Sequence, residues 1–240
     1  MEPDPLDGLI EYLAPGTAPL PSRNLKWERF RSLVNRRAPG PASEDFLRHQ
    51  DAFLQAEIEA KGITTLEDLV PAGGAIRLWQ GDITTLRVDG IVNAANSGLL
   101  GCFFPNHNCI DNAIHTYAGI QLRNECAAIM ELQGTPEPLG RARITRGYNL
   151  PARHVLHTVG PMISSSLTAR DRDLLASCYR SCLHLAEEKG LQSLAFCCIS
   201  TGEFRFPPEE AARIATGVVK AHLGEGGRLD SIVFNVFKPE

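Results

Sequence analysis

No apolar run in this 240-residue chain approaches the roughly 18 residues a membrane span needs, and Met1-Glu2-Pro3-Asp4-Pro5 is acidic where a secretory signal would be basic. Both absences point to a cytoplasmic protein with no membrane partner. Charge of one sign is also missing. With 24 Lys and Arg against 28 Asp and Glu, the net charge of −4 leaves no field to hold nucleic acid, and Arg36-Arg37 is too short a basic run to change that. The chain has no internal repeat and no low-complexity tract. Its seven cysteines form an odd set without a regular framework, which argues against disulfides and for a metal site or reduced thiols. Cys178 and Cys182, four apart on an expected helix, and Cys197-Cys198, in an expected apolar strand, read as core or near-core thiols. What remains is an ordinary globular composition, 43% hydrophobic and 22% charged, enough for one main core plus an accessory segment.

That accessory segment is expected at residues 1–72. Ser43 precedes a helical face of Phe46, Leu47, Phe53, Leu54 and Ile58 that Gly62 closes, and Thr64 with Glu67 reads as a capping box for a short second helix. Pro71-Ala72-Gly73-Gly74 marks the junction with a second unit, 73–240. There, short apolar runs (76–79, 90–94, 142–145, 154–159, 194–199 and 232–236) alternate with helical patterns (110–132, 169–189 and 208–223). The alternation predicts an α/β sandwich, a sheet between helical layers, with its ligand crevice beyond the carboxyl ends of the strands.

The densest chemistry lies in Cys102-Phe103-Phe104-Pro105-Asn106-His107-Asn108-Cys109, two thiols and an imidazole in eight residues. Zinc takes sulfur and nitrogen ligands, and three protein ligands leave a fourth position for water or substrate. Spacing alone leaves two alternatives open: a closed zinc with Cys126 or His115 as fourth ligand, or buried cysteines with no metal.

Three polar turns follow predicted strands. In Gly81-Asp82-Ile83-Thr84, Asp82 either caps the next turn or accepts a hydrogen bond from a base's amino group. In Asn93-Ala94-Ala95-Asn96-Ser97-Gly98-Leu99-Leu100-Gly101, small residues permit close approach of a ligand and Asn96 can bind a sugar hydroxyl, or the Asn side chains merely stabilise their own turn. Ser200-Thr201-Gly202-Glu203-Phe204-Arg205-Phe206-Pro207 can form an anion nest for phosphate oxygens, or a plain connection. Asp111, at an expected helix start, reads first as a cap, and His115 one turn later as a satisfied packing histidine.

Taken together, G-D-I-T, I-V-N-A-A-N, I-D-N-A-I-H, A-G-I-Q-L-R-N-E-C, H-T-V-G-P and I-S-T-G resemble the macrodomain family over about residues 75–238. The Cys/His stretch stands where most members have a glycine-rich run, and with the helical extension it is similar to the zinc-containing microbial branch. The resemblance implies a three-layer α/β/α macrodomain with a mixed central sheet and a helical N-terminal extension. It implies an ADP-ribose ligand, with Asp82 and the Ile83 backbone at the adenine and Phe237 stacked on it. Gly98 to Gly101 and Ser200, Thr201, Gly202, Glu203 and Phe204 would close over the diphosphate. Asn96 and Asp111 would meet the distal ribose as catalytic residues, beside one zinc on Cys102, His107 and Cys109. Arg205 stands where many relatives have a small residue.

The implied activity is zinc-dependent hydrolysis of mono-ADP-ribose from protein side chains, with Asp or Glu esters as the expected linkage. A non-catalytic ADP-ribose reader with structural zinc, or an O-acetyl-ADP-ribose deacetylase, are the alternatives. The branch also implies a sirtuin-like ADP-ribosyltransferase and a lipoylated carrier protein as partners.

Overall fold

The structure is a computed structural model that describes residues 4–237. Three helices come first: α1 (Pro5–Leu13), α2 (Arg23–Arg36) and α3 (Glu44–Lys61). Asp4, Ser22 and Ser43 cap them with side-chain oxygens, each accepting an N–H that the first turn leaves without an intrahelical partner. Leu6, Leu9 and Ile10 of α1, Phe30 and Val34 of α2, and Phe46, Phe53 and Leu54 of α3 form an apolar cluster of their own, which Ile120 enters from the main unit. Ile58 of α3 joins the main core instead. Gly62 ends α3 at φ 88, where its missing Cβ matters. The capping box after it falls one residue beyond the expected pair: Thr65 and Asp68 close a 3₁₀ turn over Leu66–Asp68.

The expected junction contains a strand, β1 (Val70–Gly73), which its Pro and Gly disguise. There follow β2 (Ile76–Gln80), a 3₁₀ turn (Ile83–Thr85), β3 (Gly90–Ala94), α4 (Ile110–Ala118), α5 (Ile120–Gln133), β4 (Ala142–Arg146), β5 (His154–Thr158), α6 (Ala169–Glu188), β6 (Ser193–Phe196), α7 (Pro208–Gly224) and β7 (Ser231–Val236). The expected single helix over 110–132 is two helices. Gly119, at φ 93, breaks it and turns the chain. The expected strand over 194–199 stops at Phe196, so Cys197 and Cys198 follow it; Cys197 is buried, whereas Cys198 is exposed and not the core or near-core thiol expected. Cys178 and Cys182 are buried on α6 as expected.

The sheet order is β1-β2-β7-β6-β3-β5-β4, with β1 and β4 antiparallel at the edges and the five strands between them parallel. The sheet is therefore mixed, and covered strands such as β3 and β6 are buried on both faces. All five parallel strands send their carboxyl ends to one edge, where open α/β sheets gather ligands. No helix among the described residues is long and apolar enough to cross a membrane.

Candidate active site

After β2, Gly81 donates its N–H to Val236 O (3.0 Å) and accepts from Asn235 Nδ2 (2.9 Å), so this turn is stitched to the end of β7. Asp82 performs the cap role with one oxygen: Oδ1 accepts from Thr84 N (3.0 Å) and Thr84 Oγ1 (2.6 Å). Oδ2 pairs with Lys61 Nζ at 2.7 Å. Burial pushes this carboxyl up, but Lys61 and Thr84 outweigh it and hold it below its ordinary range. Phe237 lies one residue beyond β7 beside this turn, 74% exposed.

The loop after β3 meets the first turn of α4 through one carboxylate. Asp111 is 5% exposed; its Oδ1 accepts from Asn93 Nδ2 (2.8 Å) and its Oδ2 from Asn96 Nδ2 (3.2 Å). Burial raises the Asp111 carboxyl to about 6, against the two amides and the Arg123 guanidinium. Asn96 also stabilises its own loop, donating to Gly101 O (3.1 Å) and accepting from Gly98 N (3.0 Å). Gly101 is required twice over: its φ is 78, and a Cβ there would stand 2.7 Å from the His115 ring. His115 is not the satisfied histidine that was expected. It is buried with neither ring nitrogen hydrogen-bonded among the described residues, and its Nε2 lies 3.6 Å from Asp111 Oδ1. Burial, reinforced by His157 and Arg123, keeps it neutral. Its ring fills the space that Gly101 leaves, so packing and not hydrogen bonding decides its position.

Cys102, His107 and Cys109 converge at the same end. Their ligand atoms lie within 4.8 Å of one another, and Cys102 Sγ is 3.7 Å from His107 Nδ1. A tetrahedral zinc with ordinary Zn–S and Zn–N bonds separates such a pair by about 3.5 Å. Donor set and spacing therefore fit a shared zinc. Burial raises the Cys109 thiol to about 12, and a cation there would reverse that by favouring the thiolate. Cys126 and His115 are not in this cluster. They group with His157 in the buried interior, where Cys126 Sγ is 3.8 Å from His157 Nε2.

The third turn faces the Cys/His loop. Ser200 (φ 64) and Arg205 (φ 58) bend its two ends into the left-handed region, which at Arg205 explains why a small residue would suit. Phe206 N closes the loop on Ser200 O at 2.9 Å, and Phe204 O accepts from Ile163 N at 2.8 Å. Glu203 reaches across: its Oε1 is 3.6 Å from His107 Nε2, the ring nitrogen opposite the one facing Cys102. Gly160, after β5, lets Ser200 sit close, since a Cβ there would meet Ser200 Oγ at 2.0 Å. The structure thus brings Asn96, Gly98, Gly101, Cys102, His107, Cys109, Asp111 and Glu203 into one region beyond the carboxyl ends of the parallel strands. It places Asp82, Ile83 and Phe237 together in another, at the ends of β2 and β7.

A helical extension beside a mixed α/β/α sandwich, with Gly- and Asn-rich loops at the strand ends, matches a known class. The Macro domain family matches residues 92–215. A protein of Treponema medium named protein-ADP-ribose hydrolase is 56% identical over 212 residues, covering 87% of this chain and 81% of its own length. One of the same name from Staphylococcus aureus (strain MRSA252) is 52% identical over 213 residues, with coverages of 88% and 80%. The crystal structure of the Trypanosoma brucei macrodomain in complex with ADP-ribose superposes with a TM-score of 0.65 at 36% identity, covering 87% of this chain and 90% of that one. The chain belongs to the Macro domain family.

Several residues of the site escaped reading from sequence. Asn93 and His157 lay inside quoted motifs but had no role; both are 0% exposed, and His157 Nδ1 is 3.2 Å from Asn93 Nδ2 while its Nε2 is 2.9 Å from Thr145 Oγ1. The available signal was a polar residue inside an otherwise apolar strand. Lys61 and Arg123 gave no such signal, because their partners lie 21 and 23 or more residues away.

Proposed function

We propose that the chain is a cytoplasmic hydrolase that releases mono-ADP-ribose from protein side chains, with residues 73–240 as its ligand-binding unit and 1–72 as an accessory extension. One observation carries the reading: two asparagine amides hold the buried Asp111 carboxylate at the cleft end where two thiols and an imidazole converge. The relatives named protein-ADP-ribose hydrolase support the activity.

In this reading Asp82 and the Ile83 backbone receive the adenine edge and Phe237 stacks on its face. Gly98, Gly101, Ser200, Thr201, Gly202, Glu203 and Phe204 enclose the diphosphate with backbone N–H groups. Asn96 fixes the distal ribose. Asp111, whose burial brings it near the working pH, accepts the proton of the attacking water, and its two amides stop it from rotating away. The preferred linkage is the ester of an Asp or Glu side chain, and the products are ADP-ribose and the free acid. Cys102, His107 and Cys109 would hold one zinc, and Glu203 would orient His107 through its outer nitrogen. A zinc there would act as a mild Lewis acid, since two thiolates offset its charge, polarising an oxygen and easing removal of a proton from water at neutral pH. The partners in this reading are a sirtuin-like ADP-ribosyltransferase and a lipoylated carrier protein.

The test incubates the protein with a peptide mono-ADP-ribosylated on an acidic side chain, with and without a chelator, and measures free ADP-ribose by chromatography. Release that stops on chelation supports the reading. Tight binding without turnover would make the chain a reader, and turnover of O-acetyl-ADP-ribose alone would make it a deacetylase.

A further inference from the structure

The Cys/His loop is not self-supporting. Its backbone is tied at four residues to side chains outside its own sequence, and the ties converge on helix α2 of the extension. Arg31 donates from Nη2 to His107 O at 2.6 Å and forks onto Asn112 Oδ1 with Nη2 (2.8 Å) and Nε (3.2 Å). Asn112, fully buried, passes the contact on: its Nδ2 donates to Phe104 O at 3.1 Å and to Cys102 O at 3.4 Å. One turn along α2, Asn35 is 1% exposed; its Oδ1 accepts from Asn106 N at 3.0 Å and its Nδ2 donates to Thr116 Oγ1 at 3.0 Å. Asn106 itself is held at φ 55, a conformation a free loop would seldom keep. Residues four apart share a helix face, so a single face of α2 presents both anchors.

A three-ligand site in an unsupported loop must order that loop each time it binds metal, and the ordering entropy weakens binding. We propose that α2 is a working part of the metal centre: Arg31 and Asn35 are positioning residues that hold the Cys102–Cys109 loop where its three ligands converge. The proposal rests on the zinc reading for its metal arm only. It gives the N-terminal extension a function in the site, since the anchors reach the loop only because α2 packs beside α4.

The experiment uses the full chain with Arg31→Ala, Arg31→Lys and Asn35→Ala, and with Arg36→Ala, an exposed residue of the same helix, as control. Zinc transfer to a chromogenic chelator is timed, and amide hydrogen exchange at Asn106 is followed in protein stripped of metal. Loss of a group supporting a metal ligand typically costs about 10- to 100-fold in metal affinity, so both alanine variants should release zinc faster by about that factor. Arg31→Lys, which keeps the charge but not the fork, should resemble Arg31→Ala, and Arg36→Ala should match the parent. Asn35→Ala should also speed exchange at Asn106 without metal. Folded variants, checked by circular dichroism, that keep zinc as long as the parent would overturn the proposal. If Asn35→Ala does not fold, the partly exposed Arg31→Lys decides the question. If the parent holds no zinc, the zinc reading fails while Asn106 exchange still tests the brace, and unchanged exchange in Asn35→Ala overturns it.

Discussion

Asn93 holds Asp111 from the floor of the sheet: its Nδ2 donates to Asp111 Oδ1 at 2.8 Å, joining strand β3 to the first turn of α4. The carboxylate is thereby oriented by a strand and not by its own helix. Asp111→Ala should lower turnover by about 100- to 10,000-fold while changing ADP-ribose binding far less. Asn93→Ala removes a hydrogen bond to a charged group, worth about 1.5–3 kcal/mol, and should slow turnover roughly 10- to 150-fold. The cap of α4 is Cys109, whose Sγ accepts from Asn112 N at 3.4 Å, so the cap role expected for Asp111 does not hold. Steady-state rates and calorimetry on the same preparations separate the two effects; equal losses in binding and rate would make Asp111 a structural tie between β3 and α4 only.

Asp82 shares its two oxygens between Thr84 and Lys61, at opposite sides of one turn. Asp82→Ala should weaken ADP-ribose binding by about 10- to 150-fold, the range for a lost charge-assisted hydrogen bond, and leave zinc content unchanged. Lys61→Ala should weaken binding less, because Thr84 still orients the carboxylate. Unchanged affinity in Asp82→Ala, read by calorimetry, would leave Asp82 as a turn cap only.

Two separate thiol and imidazole clusters make the metal prediction quantitative. Protein purified without added metal should contain one zinc per chain, lost in Cys102→Ser and Cys109→Ser and kept in Cys126→Ala. Elemental analysis measures it. Loss only on changing Cys126 would move the site to the buried cluster of His115, Cys126 and His157, and two zinc ions per chain would mean that the Cys102–Cys109 loop is not the sole site.

His157 is fully buried and burial lowers its pKa to about 3, so the folded chain keeps it neutral where an unfolded chain protonates it below about 6.5. The unfolded state then binds more protons, and stability attributable to His157 is complete above that value and falls as pH drops toward 3. From pH 6.5 to 5 the loss is about 2 kcal/mol at 1.36 kcal/mol per unit. Urea unfolding at pH 7 and pH 5 should show a stability drop larger by about that amount in the parent than in His157→Gln. Parallel pH dependence in the two proteins would mean His157 titrates normally.

Much of the site was legible because short-range rules place it. Apolar runs with β-branched residues marked most strands, and polar Gly-containing turns after them marked the crevice. The Cys102–Cys109 stretch marked a cluster of candidate donors, and the fold brings its two thiols and imidazole within 4.8 Å of one another. Misreadings came where local signals conflict. Pro71 and Gly73 hid β1, whose ladder partner β2 supplies the pairing that propensity does not. Gly119 split a helix whose apolar pattern runs on through it.

The sequence by itself determined the elements, their alternation and the donor types, because periodicity, caps and side-chain chemistry act within a few residues. Only the tertiary structure decided which groups meet. Asn93 reaches Asp111 because β3 lies under α4, Lys61 reaches Asp82 because α3 ends beside the turn after β2, and Arg31 and Asn35 reach the Cys/His loop because α2 packs on α4. These contacts span 18 to 76 residues of chain, and nothing local tells which of their members will pair. The fold's packing selects them, since leaving a buried polar group unpaired is costly and packing decides which groups lie within reach.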